Sequence, residues 1–210
     1  MNAKFKRNKA LLLLSSGIDS PVAGYLLKEQ GTDLIPVHFD HYPLRQTKEL
    51  KIDKLCKKLN FKNYYLVPYG NLQIEIIKKC NPRYRCVLCR RFMFKIAEKL
   101  AEKEKADYLA TGENLGQVAS QVLENMVNTD KSIKLIILRP LLCRDKQEVI
   151  NIAKKIGTFE ISITQNSCCG AVPQCPITKS KLNIILQEEE KLDVEKLVKE
   201  AVKNASLHRI

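Results

Sequence analysis

Leu11-Leu12-Leu13-Leu14-Ser15-Ser16-Gly17-Ile18-Asp19-Ser20 decides the fold. An aliphatic run stops at a small, hydroxyl-rich turn, and Pro21 follows, a residue suited to the first turn of a helix. The stretch predicts a buried strand over Ala10–Leu14 and a helix from Pro21 to about Glu29, with Ser20 as its N-cap. Strand, tight turn and helix start together point backbone N–H groups at a phosphate. The pattern Ser-x-Gly-x-Asp-Ser fixes four positions, and chance supplies it roughly 0.003 times in a chain of this length. An accidental turn is therefore the poorer explanation.

The residue types say which phosphate chemistry. No Gly-Lys-Ser or Gly-Lys-Thr follows, so this is not a kinase-like Walker loop. Gly17 lets the backbone pass close to a ligand. Ser15, Ser16 and Ser20 offer hydroxyl donors to phosphate oxygens. Asp19 repels naked phosphate and makes sense if it helps hold Mg²⁺. A loop built this way suits the binding and expulsion of pyrophosphate. It resembles the signature of the PP-loop ATP pyrophosphatases, Ser-Gly-Gly-x-Asp-Ser, with Ser16 in place of the first glycine.

Outward from the loop, strand-like and helix-like segments alternate. Strands are expected at Leu34–Phe39, Tyr64–Pro68, Tyr108–Thr111 and Leu135–Leu138, although Pro36 is unusual for a central strand. Helices are expected over Thr47–Leu59 and Leu72–Lys79, the second broken by Asn81-Pro82. Further helices are expected over Arg90–Lys105 and Gly116–Met126, and from the cap Asp145 to Ile156. Two more close the chain near Thr178–Glu190 and Val194–Ala205. The pattern predicts an α/β fold: an open parallel sheet with helices on both faces, plus C-terminal helices. One domain over residues 1–186 with a helical tail over 187–210 fits it best. Ligands in such sheets sit at the carboxyl ends of the strands, so the loops Ser15–Ser20, Phe39–Leu44 and Gly112–Gly116 should converge.

Composition adds direction. The 210 residues are 45% hydrophobic, enough for a real core, and carry a net charge of +13. That balance suggests an anionic partner such as RNA, although Lys-rich, Glu-rich chains are also a general thermophile signature. The basic N-terminus mimics a signal peptide, but the apolar stretch after it is too short and runs into the phosphate loop. No window approaches a membrane span, so a cytoplasmic protein with no membrane partner is expected. Eight cysteines in such a protein point to metal, redox or sulfur chemistry.

Further motifs follow in order: Val37-His38-Phe39-Asp40, Arg90-Arg91-Phe92-Met93, Gly112-Glu113-Asn114-Leu115-Gly116-Gln117-Val118-Ala119-Ser120-Gln121, Arg139-Pro140-Leu141, Asp145-Lys146 and Cys168-Cys169-Gly170. Taken together, over about residues 8–190, these resemble the adenylation domain of the tRNA 4-thiouridine synthetases, the ThiI family of tRNA sulfurtransferases. The resemblance implies a HUP-like, adenine nucleotide alpha hydrolase-like fold that uses ATP and Mg²⁺. It implies an enzyme that adenylates uridine in tRNA and replaces oxygen by sulfur, releasing pyrophosphate and AMP. Family ATP contacts fall on Leu13, Leu14, His38, Phe39, Arg90, Gly112 and Gln121, beside the loop Ser15, Ser16, Gly17 and Ser20. Phe39 can pack beside adenine, Gly112 allows close backbone approach, and Arg90 supplies a fork to phosphate. The family's catalytic lysine falls on Lys146, and Asp19 takes the Mg²⁺. Cys169 matches the cysteine that pairs with an incoming persulfide.

The sulfur chemistry leaves alternatives open. Cys86 and Cys89, with Cys168 or Cys169, suit an iron–sulfur cluster with one open iron. A persulfide pair ranks second and a zinc site including Cys175 third, ahead of a redox disulfide or plain buried cysteines. Cys56 lies on an apolar helix face and reads as core; Cys80 and Cys143 are unassigned. The family's tRNA-gripping THUMP region and its rhodanese domain have no counterpart in the sequence. A separate THUMP-type RNA-binding subunit and a sulfur donor, either sulfide or a cysteine desulfurase, are therefore the expected partners beside tRNA. A homo-oligomer is left open. The rival readings are a PP-loop ATPase in thiamine thiazole sulfur transfer, and a non-catalytic nucleotide- or metal-binding subunit.

Overall fold

The aliphatic run forms β1 (Lys9–Leu13), and both of its faces are buried, as a central parallel strand requires. The structure, a computed structural model, describes residues 8–44, 51–164 and 172–210. After β1 come α1 (Asp19–Glu29), β2 (Asp33–Asp40), α2 (Ile52–Lys58), β3 (Asn63–Pro68) and α3 (Gly70–Lys79). A short 3₁₀ turn, Pro82–Tyr84, leads into α4 (Arg85–Glu104) and β4 (Tyr108–Ala110). A second 3₁₀ turn, Ala119–Gln121, precedes α5 (Leu123–Asp130), β5 (Ile136–Leu138), α6 (Lys146–Lys155) and α7 (Phe159–Ile163). The chain closes with α8 (Leu182–Glu189), α9 (Val194–Lys203) and β6 (Ser206–Arg209).

The strands form one sheet in the order β5-β4-β1-β2-β3-β6. All neighbours are parallel except β6, which pairs antiparallel with β3. Alternation along β1 sorts the core into two layers. Leu11 and Leu13 face α3, α4, α8 and α9, together with Phe92, Ile96 and Leu100. Ala10, Leu12 and Leu14 face the opposite layer, with Leu27, Ile52 and Leu55 of α1 and α2. Each fully buried Leu or Phe contributes about 1.5–3 kcal/mol, so these two layers dominate stability. Pro36 is tolerated inside β2 because β3 pairs only from Val37 onward, so no β3 carbonyl awaits its missing N–H.

The structure corrects four sequence expectations. Helix α1 starts at Asp19 and its N-cap is Ile18; Ser20 lies inside the first turn, its hydroxyl spent within the loop. Asn81-Pro82 does end α3 at Lys79 as expected, and it also opens the next helical turn, the Asn81 side chain accepting from the Arg83 N–H at 3.0 Å. Helix α4 begins at Arg85, ahead of the expected Arg90, so Cys86 and Cys89 sit in its first turns. The segment 116–122 is turn and 3₁₀, and helix resumes only at Leu123. Finally, the chain ends in a strand after its last helix. The predicted start of α2 at Thr47 lies outside the described residues.

Candidate active site

The site is built at the carboxyl end of β1. Leu14 continues the ladder by donating its N–H to Val37 O at 2.8 Å, and the chain then turns. Ser20 pins that turn: its Oγ accepts from the Ser15 N–H at 2.8 Å and lies 3.0 Å from Ser15 Oγ. Ser15 Oγ also accepts from the Gly17 N–H at 3.3 Å, and Ser162 of α7 donates to Gly17 O at 3.2 Å. Ser20 is buried, so its first task is to shape the loop.

Gly112, just after β4, touches the same turn. A Cβ there would stand 2.5 Å from Ser20 N and 2.6 Å from Asp19 C, so no larger residue fits. The close approach expected of this glycine is thus made to the start of α1. Beyond it, the segment 114–121 closes on itself: Asn114 N–H donates to Gln121 Oε1 at 3.2 Å, and Gly116 N–H to Gln121 O at 2.8 Å. Gly116 carries φ +76, a left-handed conformation that suits glycine. Asn114 Nδ2 donates to Arg144 O at 2.8 Å, which holds the entry to α6 against this segment.

That entry delivers Lys146. Asp145 caps α6 as expected, its side chain accepting from the Gln147 and Glu148 N–H groups. Lys146 Nζ lies 2.8 Å from Asp19 Oδ1, and Gln117 Nε2 donates to Asp19 Oδ2 at 3.1 Å. Residues 127 apart in sequence therefore meet over the loop. A lysine that is misplaced against the α6 dipole finds its compensation in Asp19.

These groups open onto a cavity of about 820 Å³. Leu13, Leu14, Ser15, Ser16, Gly17, Asp19, Ser20, His38, Phe39, Arg90, Gly112 and Gln121 all line it. Lys146 reaches the site through Asp19. His38 Nδ1–H donates to Leu14 O at 2.9 Å, which ties β2 to the loop. Phe39 packs edge-on against Tyr69, with ring centroids 5.4 Å apart. Arg90 does not lie at a helix start; it stands one turn into α4 with Nε 3.2 Å from Glu113 Oε1. There it faces a buried carboxylate.

Cys86 and Cys89, three apart on α4, line the same cavity. Cys168 and Cys169 lie outside the described residues, and among the described residues no group of three His, Cys, Asp or Glu is placed to hold a metal. Cys56 is core as expected: burial, with Asp53 nearby, pushes its thiol up to about 12. Cys80 is also buried, and its thiol rises to about 11 through burial and the Glu188 charge. Cys143 and Cys175 are exposed. Sequence reasoning passed over Glu113, Asn114, Gln117 and Ser162. The first three belong to a motif from which only Gly112 and Gln121 were singled out; no local signal marked Ser162.

The family model described as "Thiamine biosynthesis protein (ThiI)" matches residues 5–194. The chain belongs to the ThiI family. A probable tRNA sulfurtransferase of Brevibacillus brevis is 42% identical over 209 residues, covering 96% of this chain and 52% of that protein. This ThiI-family chain thus spans about half the length of the curated relatives it matches. A crystal structure of a 4-thiouridine synthetase–RNA complex with bound ATP superposes with a TM-score of 0.91 at 37% identity, over 97% of this chain and 55% of that one. The U34-tRNA thiolase NcsA of Methanococcus maripaludis, described with its [4Fe-4S] cluster, shares the fold at 23% identity and a TM-score of 0.53, over 94% of this chain and 71% of that one. The open, mostly parallel sheet is thus the architecture of this ThiI-type group.

Proposed function

We propose that this chain is the adenylating part of a tRNA sulfurtransferase that makes 4-thiouridine. The observation that carries the reading is the meeting of Asp19, Lys146, Gly112 and the Ser15–Ser20 turn at the mouth of one cavity. A solved relative with this fold binds ATP and RNA.

The carbonyl oxygen of a pyrimidine is a poor leaving group. ATP bound over the loop converts it: the uracil oxygen attacks the α-phosphorus, and pyrophosphate leaves. A sulfur nucleophile then attacks the same ring carbon, and AMP leaves. The backbone N–H groups at the start of α1 and the hydroxyls of Ser15 and Ser16 face the outgoing phosphates. Leu13, Leu14 and Phe39 offer an apolar wall to the adenine, and Gln121, its Oε1 held by the Asn114 N–H, lines the cavity as a further contact to the nucleotide. Arg90 adds a forked cation. Lys146 neutralises charge building on the reacting phosphoryl group once Asp19 exchanges it for a metal ion. One carboxylate plus substrate phosphates is a donor set that Mg²⁺ accepts, because it keeps several waters.

The sulfur half rests on Cys169 as persulfide partner, with Cys168 beside it. An iron–sulfur cluster takes three or four cysteines. Cys86 and Cys89 supply two facing the cavity, so they would hold one only with ligands from outside the described residues. Such a cluster would supply an open iron to carry sulfide. Delivery of tRNA by a THUMP-type RNA-binding unit, sulfur from sulfide or a cysteine desulfurase, and a cytoplasmic setting complete the reading. Among the described residues no helix is long and apolar enough to cross a membrane.

The test is mass spectrometry of tRNA nucleosides from a strain lacking the gene. The expected result is absence of 4-thiouridine, restored by the wild-type gene and not by Asp19→Ala. Unchanged 4-thiouridine with a requirement for thiazole would move the function to thiamine sulfur transfer.

A further inference from the structure

We propose that Glu113 is a positioning residue that aims Arg90 at the nucleotide phosphates, a role that rests on the ATP reading above. Glu113 follows β4 and lines the cavity with its side chain only 2% exposed. A carboxylate this far from water needs partners for both oxygens. Its Oε2 has them: Thr111 Oγ1 donates at 3.1 Å and Arg139 Nε at 2.9 Å. Arg139 sends its two terminal nitrogens the other way, forked onto Asp130 at 2.9 and 2.5 Å. Asp130 therefore claims the forked end of Arg139, and Glu113 Oε1 gets no share of it.

That leaves Oε1 buried without an aligned hydrogen bond, although Arg90 Nε stands only 3.2 Å away. The ion pair is in place but not closed. Arg90 is held at its Nε edge by charge and flanked by the Phe94 ring at 5.8 Å. Its two terminal nitrogens, the pair that forks onto phosphate, have no hydrogen-bond acceptor among the described residues. A guanidinium anchored at Nε presents that fork outward in one plane. A triphosphate that engages the fork turns the plane, closes Nε–H onto Oε1 and satisfies the orphaned oxygen. Glu113 acts on the nucleotide only through Arg90. A carboxylate present merely to brace Arg139 would leave ATP affinity alone.

Calorimetry of Mg·ATP binding to the full chain separates the two roles. Arg90→Ala and Glu113→Gln are each expected to weaken ATP by about ten-fold, one charge-assisted contact's worth. The double variant is expected to bind no worse than Arg90→Ala, because the two act as one unit. Asp130→Asn removes the fork on Arg139 and is expected to lower the melting temperature with less than about two-fold change in ATP affinity. Wild-type affinity in Glu113→Gln, full additivity in the double variant, or an Asp130→Asn loss equal to that of Glu113→Gln would each overturn the proposal. Should Glu113→Gln fail to fold, Thr111→Val strips one clamp from the carboxylate without changing charge. It should weaken ATP when Arg90 is present and not in Arg90→Ala, and equal effects in both backgrounds would overturn the proposal. Wild-type protein that binds no ATP defeats the ATP reading itself; a silent Glu113→Gln beside an impaired Arg90→Ala defeats only this inference.

Discussion

Gly112 is the residue on which the site geometry turns most sharply. Its missing Cβ is what lets the strand β4 exit lie against the backbone of Asp19 and Ser20. Gly112→Ala places a methyl 2.5 Å from Ser20 N, so one backbone must move. We expect a loss of about 1–3 kcal/mol in urea denaturation, the range for overpacking, with ATP binding lost further than stability explains. A second expectation concerns Asp19 and Lys146. Each exposes part of its side chain and neither belongs to the core, so Asp19→Ala and Lys146→Ala should keep the melting temperature near wild type. Both should cut tRNA-dependent pyrophosphate release by about 100-fold or more, the scale of a lost transition-state contact. At this scale the sequence was largely readable, because Ser15–Ser20 is contiguous and its spacing carries the chemistry. Gln117, Glu113 and Asn114 were not, because Asp19, Arg139 and Arg144, which they hold, lie 98, 26 and 30 residues away and only the fold brings them near.

At the scale of elements, α4 is the hub. Arg91 donates through Nε and one terminal nitrogen to Glu189 of α8 at 2.8 and 3.0 Å, and through the other to Asn128 O at 2.6 Å. Lys95 adds a contact to Glu189 at 3.0 Å. Burial pushes the Glu189 carboxyl up, but Arg91 and Lys95 outweigh it and hold the carboxyl below its usual range. A depressed carboxylate stabilises the fold above its unfolded value, about 4.3, and loses that contribution as pH falls through the lower folded value. Wild type should therefore lose stability progressively below about pH 4, and Glu189→Gln should lose less over the same interval. At neutral pH the variant should cost about 3–5 kcal/mol, since it leaves Arg91 buried with a neutral partner. Urea midpoints across pH check both, and parallel pH profiles would remove the clamp from the account. The elements that depart from the sequence reading do so for separate reasons. Asn81-Pro82 is both a breaker and a start, and its second role depended on what followed it. The strand β6 is four residues long at a sheet edge, with Leu207 half exposed, so it carries little alternating pattern. The expected helix over Gly116–Met126 lacks its first half because Gly116 takes a left-handed φ of +76 and turns its N–H to Gln121 O.

For the whole molecule, one sheet gathers its chemistry at a single rim, while the net charge of +13 belongs to the whole chain. If the partner is tRNA, binding should be dominated by phosphate contacts and weaken by at least about ten-fold between roughly 50 and 200 mM salt. Filter binding across that range would show it, and a flat profile would count against a phosphate-led encounter. The charge argument alone could not have chosen RNA; it gains force only beside a cavity that suits a nucleotide. The measurement closest to the central claim is which bond of ATP breaks. With tRNA and a sulfur donor present and the terminal phosphate labelled, the account predicts labelled pyrophosphate together with AMP, and neither in Asp19→Ala. Labelled orthophosphate with ADP would contradict it, because a loop that expels the two outer phosphates together leaves no ADP.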